Sequence, residues 1–147
     1  MNTLLGILIG VIIACILITG IYFIIDWFWP YNAPPEILRL KERLRVIDPS
    51  LATFDIRENP RESYTKRKSR IFVCLRDPMT HVLYDDNTLM YVTLHECAHV
   101  ISPGRDHDAD FERVFNDLLR KAERVGMYDP NVPFPSKYCG RDYVDHT

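Results

Sequence analysis

Residues 3–25, TLLGILIGVIIACILITGIYFII, are apolar on every face and carry no side chain charged at neutral pH, Cys15 and Tyr22 being their only ionisable groups. As a helix rising 1.5 Å per residue the run is about 35 Å long, against a bilayer hydrocarbon core of about 30 Å. Such a helix has no polar side to turn to water, so lipid or protein must cover it. The stretch IYFIIDWFWPY at its end supplies the aromatic residues that settle at headgroup level. A cleaved signal peptide would show a basic start, a shorter apolar core and a small-residue cleavage site, and none is visible. The expectation is a single N-terminal transmembrane anchor over residues 1–29, meeting the bilayer through residues 3–25.

All 18 basic residues lie from Arg39 onward. Arg39, Lys41, Arg43 and Arg45 follow the span closely, so the positive-inside rule places the C-terminal part on the cytoplasmic side of a single-pass membrane protein. The four cysteines are Cys15, inside the span, and Cys74, Cys97 and Cys139, widely separated and without a CxxC pair. They are not expected to form a disulfide framework.

The stretch PYNAPP, residues 30–35, resists helix and reads as a short stiff linker. What remains, residues 36–147, has the length of one domain. In EILRLKERLRVI, Ile37, Leu40, Leu44 and Ile47 share one face and Asp48-Pro49 ends the pattern, which predicts an amphipathic helix. Packing on the domain is the preferred use of that face, over lying on a membrane surface. LATFDIREN (51–59) alternates and SRIFVCLR (69–76) is a continuous apolar run, so both read as strands of a small antiparallel sheet. The basic RESYTKRKSR between them reads as a hairpin connection facing water. Nucleic-acid or anionic-lipid binding through it is the less favoured alternative. A helix should start near Thr88, capped by Asp86 or Asn87, and stop near Ser102-Pro103-Gly104. A second should cover about Ala109 to Val125 on a stripe containing Phe111, Phe115 and Leu118, with Gly126 as its C′ residue. The tail predicts no regular structure beyond a short strand near Lys137 to Cys139.

The first of these two helices contains His95-Glu96-Cys97-Ala98-His99. Histidines four apart lie on one helical face a turn apart, so their ring nitrogens can share a metal ion. Glu96 sits about 100° round the helix, where it can hold the proton of a metal-bound water without ligating the metal. Cys97 points away from that face, towards the core. The break at Pro103-Gly104 turns the chain back, so a third ligand can come from the following loop. His107 is preferred by type and position. Asp106, Asp108 and Asp110 share that loop, and Glu112 and Glu123 on the next helix would serve a thermolysin-like arrangement. His81, Tyr84, Tyr138 and Tyr143 are candidates to donate to a developing oxyanion. His146 is expected to be disordered near the C-terminus.

HECAHVISPGRDHDADF resembles the HExxH…HxxxF signature of the WLM and SprT-like zinc metallopeptidases, and HDADF is similar to the His-Asp-x-x-Phe of WLM proteins. RIFVCLRD stands where that group has a strand bordering the active-site cleft. LYDDNTLMYVTLHECAHV resembles small WLM-like proteins of large DNA viruses, which suggests a viral or host internal membrane. The likeness covers roughly residues 37–140, and residues 94–111 carry its specific part. Seven residues separate His99 from His107 where five is commoner, and a membrane span is unusual beside nuclear members that cleave DNA-crosslinked proteins.

The resemblance implies an α+β fold: a transmembrane helix, then a compact zincin-like domain of amphipathic helix, small sheet, HExxH helix and second helix. It implies one Zn²⁺ held by His95, His99 and His107, with Glu96 as the catalytic base of a peptidase acting on a protein or peptide substrate. Two other classes remain in view. One is an inactive membrane-tethered binding module whose structural zinc is closed by an aspartate or Cys139; the other is a zinc hydrolase of a small molecule. A nucleic-acid partner is the weakest option, and nothing in the sequence specifies an oligomeric state.

Overall fold

The computed structural model describes residues 2–28, 31–104 and 107–142. The chain divides into two compact units, one ending at Asn32 and the other starting at Ala33, within the stretch expected to be a linker. The first unit is a single helix, α1 (Asn2–Phe28), in which Leu5–Ile25 is long and apolar enough to cross a membrane.

The second unit is α+β. Its first helix, α2 (Pro35–Ile47), starts one residue earlier than predicted because Pro35 occupies the first turn, where no N–H is needed and its fixed φ already suits a helix. Ile37, Leu40 and Leu44 are buried as the periodicity requires, and Ile47 packs against the same core. Asp48 then accepts hydrogen bonds from the backbone and hydroxyl of Ser50 at 2.9 and 2.7 Å, which turns the chain.

The sheet departs from expectation. Leu51–Thr53 is a short 3₁₀ turn, and only Asp55–Glu58 of the first predicted strand is extended (β1). A strand absent from the prediction, β2 (Tyr64–Lys66), lies inside the basic stretch, followed by β3 (Arg70–Val73). The order is β1-β3-β2, with β3 parallel to β1 and antiparallel to β2, so the sheet is mixed and not antiparallel throughout as predicted. The reason is local. Arg67 and Lys68 both adopt positive φ (53° and 52°), and this tight turn makes β2 and β3 immediate neighbours. The chain reverses direction at each connection, and β3 inserts between the two earlier strands, so it must run parallel to β1.

Helix α3 (Asp86–Ile101) touches β2 and β3 on one side and α4 (Ala109–Arg124) on the other. Its N-cap is Asp85, not Asp86 or Asn87: the Asp85 carboxylate accepts from the Thr88 backbone at 2.9 Å and from its hydroxyl at 2.7 Å. Leu94, Cys97 and Ala98 are fully buried in the core with Ile71, Val73 and Phe111. Asp108 caps α4 by accepting from Phe111 N at 2.8 Å, and Gly126 ends it at φ 70°.

The tail is more ordered than predicted. Strands β4 (Lys137–Tyr138) and β5 (Arg141–Asp142) pair across a turn in which Cys139 and Gly140 take positive φ. Cys139 is bonded to Cys74 at the end of β3, with Cα atoms 6.1 Å apart. This one bond departs from the expectation that the cysteines form no disulfide framework. Folding brings together two residues 65 positions apart, a pairing no local pattern announces. Cys97 is free and buried, as expected.

Candidate metal centre and cleft

His95 and His99 stand one turn apart on α3, and His107 returns from the loop between α3 and α4 to face them. Their ligating atoms all lie within 4.8 Å of one another, so the three can hold a metal ion. The Nε2 atoms of His95 and His107 are 3.1 Å apart. The ring of Phe111 lies beneath all three, with centroids 5.0, 4.4 and 4.6 Å from those of His95, His99 and His107. Phe111 is itself 1% exposed, so the histidines rest on a fixed aromatic floor. His107 is exposed, and the cluster opens to solvent on its side.

Two features hold the loop that delivers His107. Lys68, at the tip of the β2–β3 turn, donates its ammonium to the carbonyls of Ser102 and Gly104, at the negative end of the α3 dipole. The positive φ at Arg67 and Lys68 shapes the turn that places Lys68 against this loop. Gly104 passes so close to the α4 cap that a Cβ there would stand 2.0 Å from an Asp108 carboxylate oxygen. A side chain at 104 would have to displace the cap.

Glu96 is 6% exposed and turns towards β2, where the Thr65 hydroxyl lies 2.8 Å from Oε2 and 3.0 Å from the Glu96 carbonyl. Burial pushes the Glu96 carboxyl up to about 7, and the hydrogen bond from Thr65 opposes that rise. Burial, with His99 and His107 alongside, pushes His95 down to about 3 and keeps its imidazole neutral, the form that ligates metals. Nothing in the sequence marks Thr65. It sits in a polar strand of three residues that has no apolar alternation to reveal it.

Among the described residues, none of the other third-ligand candidates joins the cluster. Asp108 is the α4 cap, Asp110 pairs with Arg113 at 3.1 Å, and Glu123 lines a separate hollow with Gly126 and Met127. Glu112 borders the cleft but is not in the ligand cluster. Asp106 lies outside the described residues, as do Tyr143 and His146. Among the candidate oxyanion donors, Tyr138 borders the cleft, but its hydroxyl donates to the Cys74 carbonyl at 2.6 Å and lies 2.9 Å from Ser63 Oγ. Tyr84 accepts from Cys139 N at 2.7 Å, and His81 is exposed in a turn at φ 59°.

His95, Glu96 and His107 border one cleft of about 670 Å³. Helices α3 and α4 form one side of it, and the segment from Tyr128 to Asp142 forms the other. The tail wall is tied down twice. Cys139 is bonded to Cys74, and Asn87 exchanges hydrogen bonds with the Asp129 backbone at 2.7 and 3.1 Å.

Among curated proteins, the chain is 38% identical over 91 residues to uncharacterized protein 136R of Invertebrate iridescent virus 6, covering 60% of this chain and 51% of that one. It is 45% identical over 78 residues to uncharacterized protein 042R of Invertebrate iridescent virus 3, covering 53% and 49%. It is also 38% identical over 82 residues to uncharacterized protein R325 of Acanthamoeba polyphaga mimivirus, covering 53% and 41%. The chain thus spans about half the length of the curated relatives it matches, or less. No family model and no solved structure matches it.

Proposed function

We propose that the chain is a membrane-anchored zinc metallopeptidase of the WLM and SprT-like kind. The observation that carries this reading is the convergence of three imidazoles beside a buried carboxylate at the base of an open cleft. Two nitrogens on a tetrahedral zinc, each at about 2.0 to 2.1 Å, stand about 3.3 Å apart. The His95–His107 separation of 3.1 Å is close to that. Three imidazole ligands and no thiolate in the cluster suit a zinc site that keeps one position open.

Zinc held there would supply a Lewis acid that polarises a peptide carbonyl and makes water acidic enough to react at neutral pH. The chain supplies the rest. Glu96 takes a proton from the attacking water as its oxygen bonds to the carbonyl carbon. It returns that proton to the amine nitrogen as the C–N bond breaks. Thr65 fixes the carboxylate during both transfers. The closed structural site finds no support in Cys139, which is bonded to Cys74, and a nucleic-acid role finds little in Lys68, which is spent on two carbonyls.

α1 serves as the anchor, its side chains, such as Ile7, Ile18 and Phe23, being more than half exposed (66%, 67% and 74%). The relatives are viral, which fits a viral or host membrane. Two signals conflict over which side the domain faces. The charge rule favours the cytoplasm. However, the Cys74–Cys139 bond belongs to an oxidising compartment. The disulfide is the more specific signal, and it supports a reading in which the domain lies on the oxidising face.

The test uses the full chain in detergent. One equivalent of zinc should bind and be lost in His95→Ala, His99→Ala and His107→Ala, while Glu96→Gln keeps zinc and loses hydrolysis of unfolded protein by about 10² to 10⁴. A Glu96→Gln protein as active as the parent would overturn the reading.

A further inference from the structure

The cleft continues past the metal cluster into a chamber whose walls are aromatic. Tyr91 on α3 lines it, and its ring packs against those of Phe115, Tyr128 and Phe134 at centroid distances of 5.2, 6.0 and 5.2 Å, so the four form one aromatic wall. Leu119 and Val132 close the apolar surface. Phe115 also packs edge-on against His95 at 5.1 Å, so the chamber and the metal cluster share a wall. A side chain lodged in the chamber would therefore leave its own backbone next to His95 and Glu96.

We infer that this chamber is a specificity pocket for one large apolar side chain of an extended peptide, adjoining the bond to be cut. The inference rests on the peptidase reading above and adds what that reading lacks, the class of sequence recognised. Three observations support it. The walls are aromatic and aliphatic, so a matching side chain gains by leaving water. The volume of about 670 Å³ for the whole cleft exceeds what one catalytic water and a peptide carbonyl need. Of the charged residues bordering it, Arg141 pairs with Glu62 at 2.9 Å and Asp142 with Lys137 at 3.8 Å, while Glu96 is the proposed base. Glu112 is the carboxylate outside these roles, and it favours a peptide with a basic residue near the apolar one over an acidic one.

Most of the outer wall comes from the tail, residues 128–142, and not from the HExxH and HxxxF elements. Specificity and chemistry are thus built by separate segments. Leu119 on α4 and Val132 on the tail both line the cleft, and either can be enlarged to narrow it.

The experiment uses the zinc-loaded full chain in detergent with quenched fluorescent peptides. These peptides carry Phe, Leu, Ala or Asp at one position and Lys or Glu beside it. The kcat/KM for Phe or Leu peptides should exceed that for Ala by at least tenfold, and Lys neighbours should be preferred to Glu. Leu119→Trp, and independently Val132→Trp should the first not fold, should bring the Phe-to-Ala ratio close to one. Hydrolysis with no apolar preference, or a ratio unchanged in both filled variants, would overturn the pocket and leave the peptidase standing. A wild-type chain that cleaves nothing would overturn the peptidase reading. The pocket is then judged on anisotropy of labelled peptides with zinc-loaded Glu96→Gln: tenfold tighter binding of Phe over Ala supports it, and equal binding removes it.

Discussion

The Thr65 hydroxyl on β2 lies 2.8 Å from the Glu96 carboxylate on α3, so the edge of the sheet and the centre of the HExxH helix meet at the proposed base. A buried carboxylate with one hydrogen-bond partner keeps one orientation, and losing the partner lets it rotate. Thr65→Val, close in shape, should retain zinc and lower kcat by roughly ten- to a hundredfold with little change in KM. Thr65→Ser should recover most of the rate, since it restores the hydroxyl. A Thr65→Val enzyme with parental kcat would show that Glu96 is oriented by something else.

The clamp at Lys68 makes a different prediction, about metal affinity. Its ammonium holds the Ser102 and Gly104 carbonyls just ahead of His107. Lys68→Met keeps the apolar stem and removes the donors. Groups that orient a ligand from outside the metal shell are worth roughly 10- to 100-fold in affinity. Competition with a chelator should therefore show zinc held about tenfold more weakly, with helical content unchanged. Equal affinity would mean that the loop needs no clamp.

The Cys74–Cys139 bond closes a loop of 65 residues. Chain-entropy reasoning puts its contribution at roughly 4 kcal/mol, and measured values cluster at about 2 to 4 kcal/mol. Alkylation of the unfolded chain without reductant should label two cysteines, Cys15 and Cys97, and reduction should raise this to four. Denaturant unfolding of Cys139→Ser should show a loss in that range. Four adducts before reduction would place the domain in a reducing compartment and restore the orientation expected from charge.

Periodicity explains why some parts of the fold are legible in the sequence and others are not. α2 and α4 each bury a face repeating every three to four residues, so spacing alone assigns Ile37 and Phe111 inward, whereas α3, packed between the sheet and α4, is buried over most of its circumference. His95 and His99 follow from the same spacing, and His107 from the Pro103-Gly104 break. β2 has no such pattern. Its residues Tyr64, Thr65 and Lys66 are all partly exposed or exposed, and its turn uses Arg67 and Lys68 where glycine or asparagine would have signalled a hairpin. The chamber leaves no trace in the sequence because its outer wall is a proline-rich segment positioned by the disulfide and by Asn87. The Asp85-Asp86-Asn87 run holds three residues able to cap α3, and only geometry chooses among them.

That choice gives a prediction in pH. Burial raises the Asp85 carboxyl, but hydrogen bonds from the Thr88 hydroxyl and from the Thr88, Asn87 and Asp85 backbone together outweigh it and hold the group below its ordinary 3.8. A carboxyl depressed in the folded state contributes stability above its unfolded pKa and loses it as pH falls through the folded value. Asp85→Ala should therefore cost about 1 kcal/mol at pH 7, the usual worth of an N-cap. The gap between variant and parent should narrow only below about pH 4, where the parent's carboxylate takes up its proton. Urea unfolding of both proteins at pH 7, 5 and 3 measures this. A gap already closed at pH 5 would mean that the Asp85 charge does not cap α3, and that Asp86, in the first turn, serves the helix terminus instead.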